Sequence, residues 1–219
     1  MPLRPKNNYT AANMNLIRII PVLSILFAAT LRADVVSDGL RLDALPASPA
    51  SAPVVEVVKP FAKGTWTLQL ESSYTVPIAY STSENIAGSI GVGYYLLDNN
   101  CLTILARGFH INQEPGHDTD GGELSCMGRT HLYTTRDFSI YIDGGGGYAW
   151  AGDAFPVGGT SYNFTARAGA GMAVRLFDNG YLTGGARYFH SSNGGAHRGL
   201  PNPSFNGVEY YVGMLFTFR

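Results

Sequence analysis

His190 and Ser192 stand two residues apart in the run His190-Ser191-Ser192-Asn193-Gly194-Gly195. On a β-strand, residues two apart project from the same face. An imidazole beside a hydroxyl is the pairing that acyl transfer needs. The hydroxyl is a weak nucleophile until a neighbouring base takes its proton, and imidazole does so near neutral pH. A third polar group must then fix the ring's tautomer. The same residues could equally just open a polar loop, so the elements that hold them decide between the two.

Those elements read as strands. From Gly64 onward the chain alternates with period two, the signature of strands with unlike faces. Tyr162 to Leu176 puts Tyr162, Phe164, Ala166, Ala168, Ala170, Met172, Val174 and Leu176 on one face, and Asn163, Thr165, Arg167, Gly169, Gly171, Ala173 and Arg175 on the other. That unbroken length suits a tilted transmembrane strand better than a soluble one. Thr65–Tyr74, Ile86–Leu96, Cys101–Asn112, Glu123–Tyr133, Phe138–Trp150, Tyr181–Ser192 and Val208–Phe218 complete a set of eight. The third has ambiguous faces, because Ile104 and Leu105 are both apolar.

The connections alternate between long and short. Asp98-Asn99-Asn100, Thr134-Thr135-Arg136 and Asp178-Asn179-Gly180 are tight turns, and the stretches near 77–85, 113–122, 151–161 and 193–207 are longer. Outer-membrane barrels have this asymmetry, with short periplasmic turns and longer external loops. The expected fold is therefore all-β: an eight-stranded antiparallel transmembrane barrel over residues 64–219. Closure satisfies every backbone polar group, which a sheet edge in lipid could not do.

Composition agrees. The 219 residues carry a formal net charge of −1, only 14% charged residues, 12% aromatic residues and 27 glycines. Typical soluble domains carry roughly 25% charge. Mean hydropathy is only +0.02, which argues against a helical membrane protein. Ile19 to Ala29 is too short to cross a bilayer; after Arg18 and before the small residues ending at Ala33, it reads as a secretory signal over residues 1–33, with Met14 as an alternative start. Residues 34–63, with Leu45-Pro46-Ala47-Ser48-Pro49, read as a Pro/Ala-rich periplasmic linker. The near-neutral charge gives no reason to expect nucleic acid. A hairpin centred near Gly116 sets Cys126 opposite Arg107, away from Cys101, which argues against a disulfide.

Eight strands leave a lumen just wide enough for side chains. Glu71, Glu123, Arg129, His131, Asp143, Arg167, Arg175 and Arg187 have inward parity and are expected to form a salt-bridged core, not a pore. The glycines of 144–147 and 169–171 relieve crowding there. His117, Asp118 and Asp120 could hold a cation, although solvation is the commoner fate of such a cluster. If Arg187 points inward, then Tyr188, His190 and Ser192 point outward at the outer-leaflet end of the seventh strand.

The run from His190 to Gly195, then Pro201-Asn202-Pro203, then a last strand, resembles the outer-membrane lipid A 3-O-deacylase (acyloxyacyl hydrolase) family. Its hallmark is His-x-Ser-Asn followed by a short loop with a Pro-Asn element. Tyr211 to Phe218 also resembles the C-terminal signature read by the barrel assembly machinery, with Arg219 added beyond the final aromatic. The family resemblance implies hydrolysis of the ester at position 3 of lipid A in the cell outer membrane. By it, Ser192 is the nucleophile, His190 the base, and Gly195 (backbone N–H) and Asn202 (side chain) the oxyanion donors; it implies no metal or other cofactor. The family's glutamate falls on Asn206. Parity favours Asn206, which shares the apolar face, while Glu209 has lumenal parity and would need a bulge to reach His190. Asparagine can orient an imidazole but cannot offset imidazolium charge.

Two functions remain open on sequence: a serine esterase acting on lipopolysaccharide in the outer leaflet, or a non-catalytic barrel serving as envelope anchor or adhesin. A homodimer is compatible with either.

Overall fold

Every outward-facing position must meet lipid and every inward one a narrow polar lumen, and the chain obeys that rule strand by strand. The computed structural model describes residues 59–78, 83–114, 116–196 and 201–219. The expected signal segment and the linker up to residue 58 lie outside the described residues. Eight strands follow in order: β1 (Trp66–Pro77), β2 (Glu84–Leu97), β3 (Asn100–Asn112), β4 (Thr119–Thr134), β5 (Phe138–Phe155), β6 (Thr160–Phe177), β7 (Gly180–Ser192) and β8 (Phe205–Phe218). Each pairs antiparallel with the next, and β1 pairs with β8 to close the barrel. The sheet therefore has no free edge.

On the outer wall Leu70, Ile90, Val92, Ile104, Leu124 and Val212 are exposed. Trp66 packs on Tyr94 near the chain's entry to β1, and Tyr148, Tyr162 and Phe164 cluster near the opposite rim. Two aromatic zones flanking an aliphatic band are the mark of a membrane barrel. The ambiguous third strand resolves cleanly: Ile104 faces out and Leu105 faces in.

Arginines and carboxylates fill the lumen. Arg187 bridges Glu71 at 2.6 Å and Asp143 at 2.9 Å, Arg129 holds Asp143 at 3.0 Å, and Arg167 holds Glu123 at 2.7 Å. Glu209 is met by Arg107, Arg167 and Arg187. Arginine faces also lie over aromatic rings, Arg187 at 3.6 Å from the Tyr211 centroid and Arg129 at 4.0 Å from that of Tyr141. Gly171 is a close-approach position, since a Cβ there would collide with the Tyr211 hydroxyl and the Tyr141 ring. The expected salt-bridged core is present with altered membership: His131 bonds the Tyr95 and Ser139 hydroxyls instead, and Glu209 joins the core. Arg107 belongs to it. Arg175 instead pairs with Asp137 and Asp178 at the turn end of the barrel, because β6 reaches the rim there.

Two further expectations are corrected. The β3–β4 register sets Arg107 opposite Glu123 and Cys126 opposite Ile104, a tighter hairpin than the one centred near Gly116. Cys101 is buried in the lumen and Cys126 is exposed on the outer wall, so the two thiols face opposite sides of the sheet. Finally, the last residues of the expected linker fold against the barrel. Phe61 is 1% exposed and stacks on His131 with centroids 3.8 Å apart. The Asn99 N–H donates to the Phe61 carbonyl at 2.7 Å, and Asp98 accepts from the Lys63 N–H and from Lys59 Nζ. Arg219 reaches the Lys59 carbonyl at 2.6 Å, which gives the residue beyond the terminal aromatic a partner. This plug closes the mouth at the short-turn end.

Candidate active site

Strand pairing brings the chemistry together. In the β7–β8 ladder His190 lies opposite Asn206, and in the β6–β7 ladder Ser192 lies opposite Phe164. Because period two alternates faces, Ser191 lines the lumen next to Asn163 and Thr165, whereas His190 and Ser192 turn to the outer wall. His190 Nε2 lies 3.0 Å from Ser192 Oγ, and Nδ1 lies 2.7 Å from Asn206 Oδ1. The imidazole thus spans hydroxyl and carboxamide. Ser192 itself is largely covered, at 9% exposed.

A carboxamide oxygen can only accept, so Nδ1 carries the ring proton and Nε2 presents its lone pair to Ser192. That tautomer is the one in which Ser192 can be deprotonated. The Tyr188 hydroxyl donates to the same Asn206 Oδ1 at 2.6 Å, and Asn206 Nδ2 donates to Ser204 Oγ at 3.3 Å.

Beyond Ser192 the chain turns sharply. Gly194 and Gly195 adopt φ of +63° and +71°, left-handed values that glycine takes at little cost. Asn193 organises the turn. Its N–H donates to Asn202 Oδ1 at 3.0 Å, its Nδ2 donates to the Pro201 carbonyl at 3.1 Å, and its Oδ1 accepts the Gly195 N–H at 2.9 Å. The Pro-Asn element is thereby fastened to the residue following Ser192.

The expected site residues divide accordingly. His190, Ser192 and Asn206 are brought into one hydrogen-bonded line, with Asn202 fastened next to Ser192 through Asn193. Glu209 is not among them. It is 0% exposed in the lumen, held by three arginines, and no bulge interrupts the β7–β8 register to turn it outward. The Gly195 N–H, expected to serve as an oxyanion donor, is already engaged by Asn193. Tyr188 was expected only to point outward beside His190; that shared parity is the sequence signal for its hydroxyl's contact with Asn206. The His117, Asp118 and Asp120 cluster is divided, since Asp118 accepts the Gln113 N–H and Asp120 pairs with His110. Among the described residues no cluster could hold a metal ion.

A closed eight-stranded barrel with an apolar outer band, a charged core and a His–Ser pair on its outside defines a small outer-membrane β-barrel protein. Within that class, residues 121–214 match the family model of lipid A 3-O-deacylase (PagL). The chain thus bears the family resemblance expected from its motif, over a region that contains the whole candidate site. Among solved structures it resembles Neisserial surface protein A (TM-score 0.54, 13% identity, covering 71% of this chain and 100% of that one). It also resembles the outer membrane protein OprG from Pseudomonas aeruginosa (TM-score 0.50, 12% identity, 74% and 99% covered). The outer membrane enzyme PagL superposes more loosely (TM-score 0.48, 16% identity, 65% and 97% covered). Nothing among curated proteins matches the chain. The likenesses to Neisserial surface protein A and OprG speak for the fold alone, and the family match places the chain in the outer membrane.

Proposed function

We propose that this barrel is a serine esterase that hydrolyses the acyl ester at position 3 of lipid A, the outer-leaflet anchor of lipopolysaccharide. The observation that carries the reading is the continuous Ser192–His190–Asn206 line on the outer wall, inside the region that matches the deacylase family. A site on the outside suits a substrate whose scissile ester already lies in the outer leaflet, so no tunnel is needed.

Ser192 Oγ attacks the ester carbonyl carbon while its proton passes to His190 Nε2. The carbonyl electron pair moves onto oxygen, and a donor near Ser192 stabilises it. Asn202 is the candidate, with its Oδ1 tied to the Asn193 N–H and its Nδ2 as the donating end. Collapse of the intermediate breaks the bond to the sugar oxygen, which takes the proton from Nε2 as the deacylated lipid leaves. Water then attacks the acyl-Ser192 ester, giving its proton to His190, and the fatty acid departs as Ser192 recovers its proton. Asn206 keeps Nδ1 as the protonated nitrogen throughout. Being neutral, it leaves the imidazolium charge without a counter-ion, and the expected rate is correspondingly modest.

The test is incubation of the detergent-solubilised protein with lipopolysaccharide, followed by mass spectrometry of lipid A. Loss of one hydroxyacyl chain, abolished in Ser192→Ala and His190→Ala, is the expected result. An unchanged lipid profile over a range of pH and cation conditions would contradict it.

A further inference from the structure

The carboxamide of Asn206 is the weak point of the proposed machinery, because its two ends have opposite hydrogen-bonding character. With Oδ1 toward the ring, His190 is protonated on Nδ1 and Nε2 is free to act as a base. With Nδ2 toward the ring, Nδ1 becomes the acceptor, the proton moves to Nε2, and Ser192 faces a donor. A carboxylate at this position would have no such ambiguity, since either oxygen accepts. A chain with asparagine here needs something to choose the face.

We infer that Tyr188 and Ser204 are positioning residues that hold the Asn206 carboxamide with its oxygen toward His190, and so set the ring tautomer on which base catalysis by His190 depends. The inference rests on the esterase reading for its catalytic consequence but not for its geometry. Tyr188 lies two residues before His190 on β7 with the same outward parity, and its hydroxyl is 2.6 Å from Asn206 Oδ1. That separation fits an O–H···O bond and is shorter than N–H···O bonds usually are, so it selects oxygen over nitrogen at this corner. Ser204, two residues before Asn206, takes the other end, accepting from Nδ2 at 3.3 Å. Oδ1 thus receives two donors, Tyr188 and His190 Nδ1, and Nδ2 is engaged on the far side. Reversing the amide would set nitrogen against the 2.6 Å phenol contact and against Nδ1. Tyr188 therefore has a duty beyond that of an interfacial ring, and the duty resides in its hydroxyl.

The tautomer can be read directly. Nitrogen-15 histidine labelling of the detergent-solubilised barrel, with His190 assigned by its absence in His190→Gln, reports which ring nitrogen is protonated at alkaline pH. The wild-type chain is expected to show Nδ1–H, and Tyr188→Phe with Ser204→Ala a mixture of tautomers. A single unchanged tautomer in that double variant would overturn the inference, whether or not the protein hydrolyses lipid A. The kinetic arm uses Asn206→Asp as the background in which face choice no longer matters. Tyr188→Phe is expected to lower kcat about tenfold with KM little changed when Asn206 is present, and to change nothing further in the Asn206→Asp background. Equal losses in both backgrounds would mean a merely structural role and would overturn it. Should the tautomer shift as expected in a protein without hydrolytic activity, the positioning role stands and the esterase reading falls. Heat-modifiable gel mobility verifies that each variant is a folded barrel.

Discussion

Asn206 Oδ1 lies 2.7 Å from His190 Nδ1 across the β7–β8 ladder, in the position where the deacylase family is expected to carry a glutamate. A neutral amide fixes the ring as a carboxylate would but contributes no charge to the imidazolium formed during proton transfer. Asn206→Asp is nearly isosteric and supplies that charge. It is expected to raise kcat/KM about tenfold, whereas Asn206→Ala, which frees the ring, lowers it about a hundredfold. Initial rates of fatty-acid release from lipopolysaccharide check both.

Glu209, close to the site in sequence, belongs to different physics. It is fully buried and neutralises positive charge from Arg107, Arg167 and Arg187. Removing one partner of a buried ion network leaves charge uncompensated, at a typical cost of about 3–5 kcal/mol. Glu209→Ala is therefore expected to lower the unfolding midpoint in urea with lipid vesicles, while the folded fraction keeps its specific activity. A loss of activity in fully folded protein would return Glu209 to the catalytic line.

Asn193 fastens the turn after Ser192 through its side chain, which bonds the Gly195 N–H and the Pro201 carbonyl. Each such bond contributes about 1 kcal/mol. Asn193→Ala removes both and is expected to cut kcat about tenfold, leave barrel stability within error, and increase proteolysis in the stretch 193–204. Protease mapping beside a rate measurement separates the two effects.

The plug at the opposite mouth is pH-dependent. The Lys63 N–H and then the Lys59 ammonium hold the Asp98 carboxyl below its ordinary value. A depressed carboxyl contributes stability that is present above its unfolded value, near ~3.9, and is lost as pH falls through the lower folded value. Docking of residues 59–63 is expected to persist at neutral pH and weaken in strong acid. Asp98→Asn should weaken it at neutral pH and remove most of its dependence on acid. Hydrogen exchange at the Asn99 N–H, which is bonded to the Phe61 carbonyl, reports the docking directly.

Much of this molecule was legible because a barrel in lipid enforces period two on every strand. Parity separated Arg187 from His190 and gave Glu209 its inward side, whereas Asn206 was singled out by the family resemblance, with parity in agreement. What escaped the sequence depends on contacts that no periodicity encodes. The capture of the Gly195 N–H by Asn193 is a local side chain–backbone bond, and Asn-Gly-Gly signals a turn without saying which amide it consumes. The β3–β4 register shifted because strand lengths at a loop are set by closure across the barrel. Phe61 sits in an aperiodic stretch, and only the aromatic cavity of His131, Tyr95 and Tyr181 reveals its destination.

The most direct measurement of the central claim is chemical trapping at Ser192. Incubation with an alkyl fluorophosphonate, followed by peptide mass mapping, is expected to label Ser192 in the wild-type barrel and in Asn206→Asp, faster in the latter, and to fail in His190→Ala. Labelling that is absent, or that proceeds equally without the imidazole, would contradict the account.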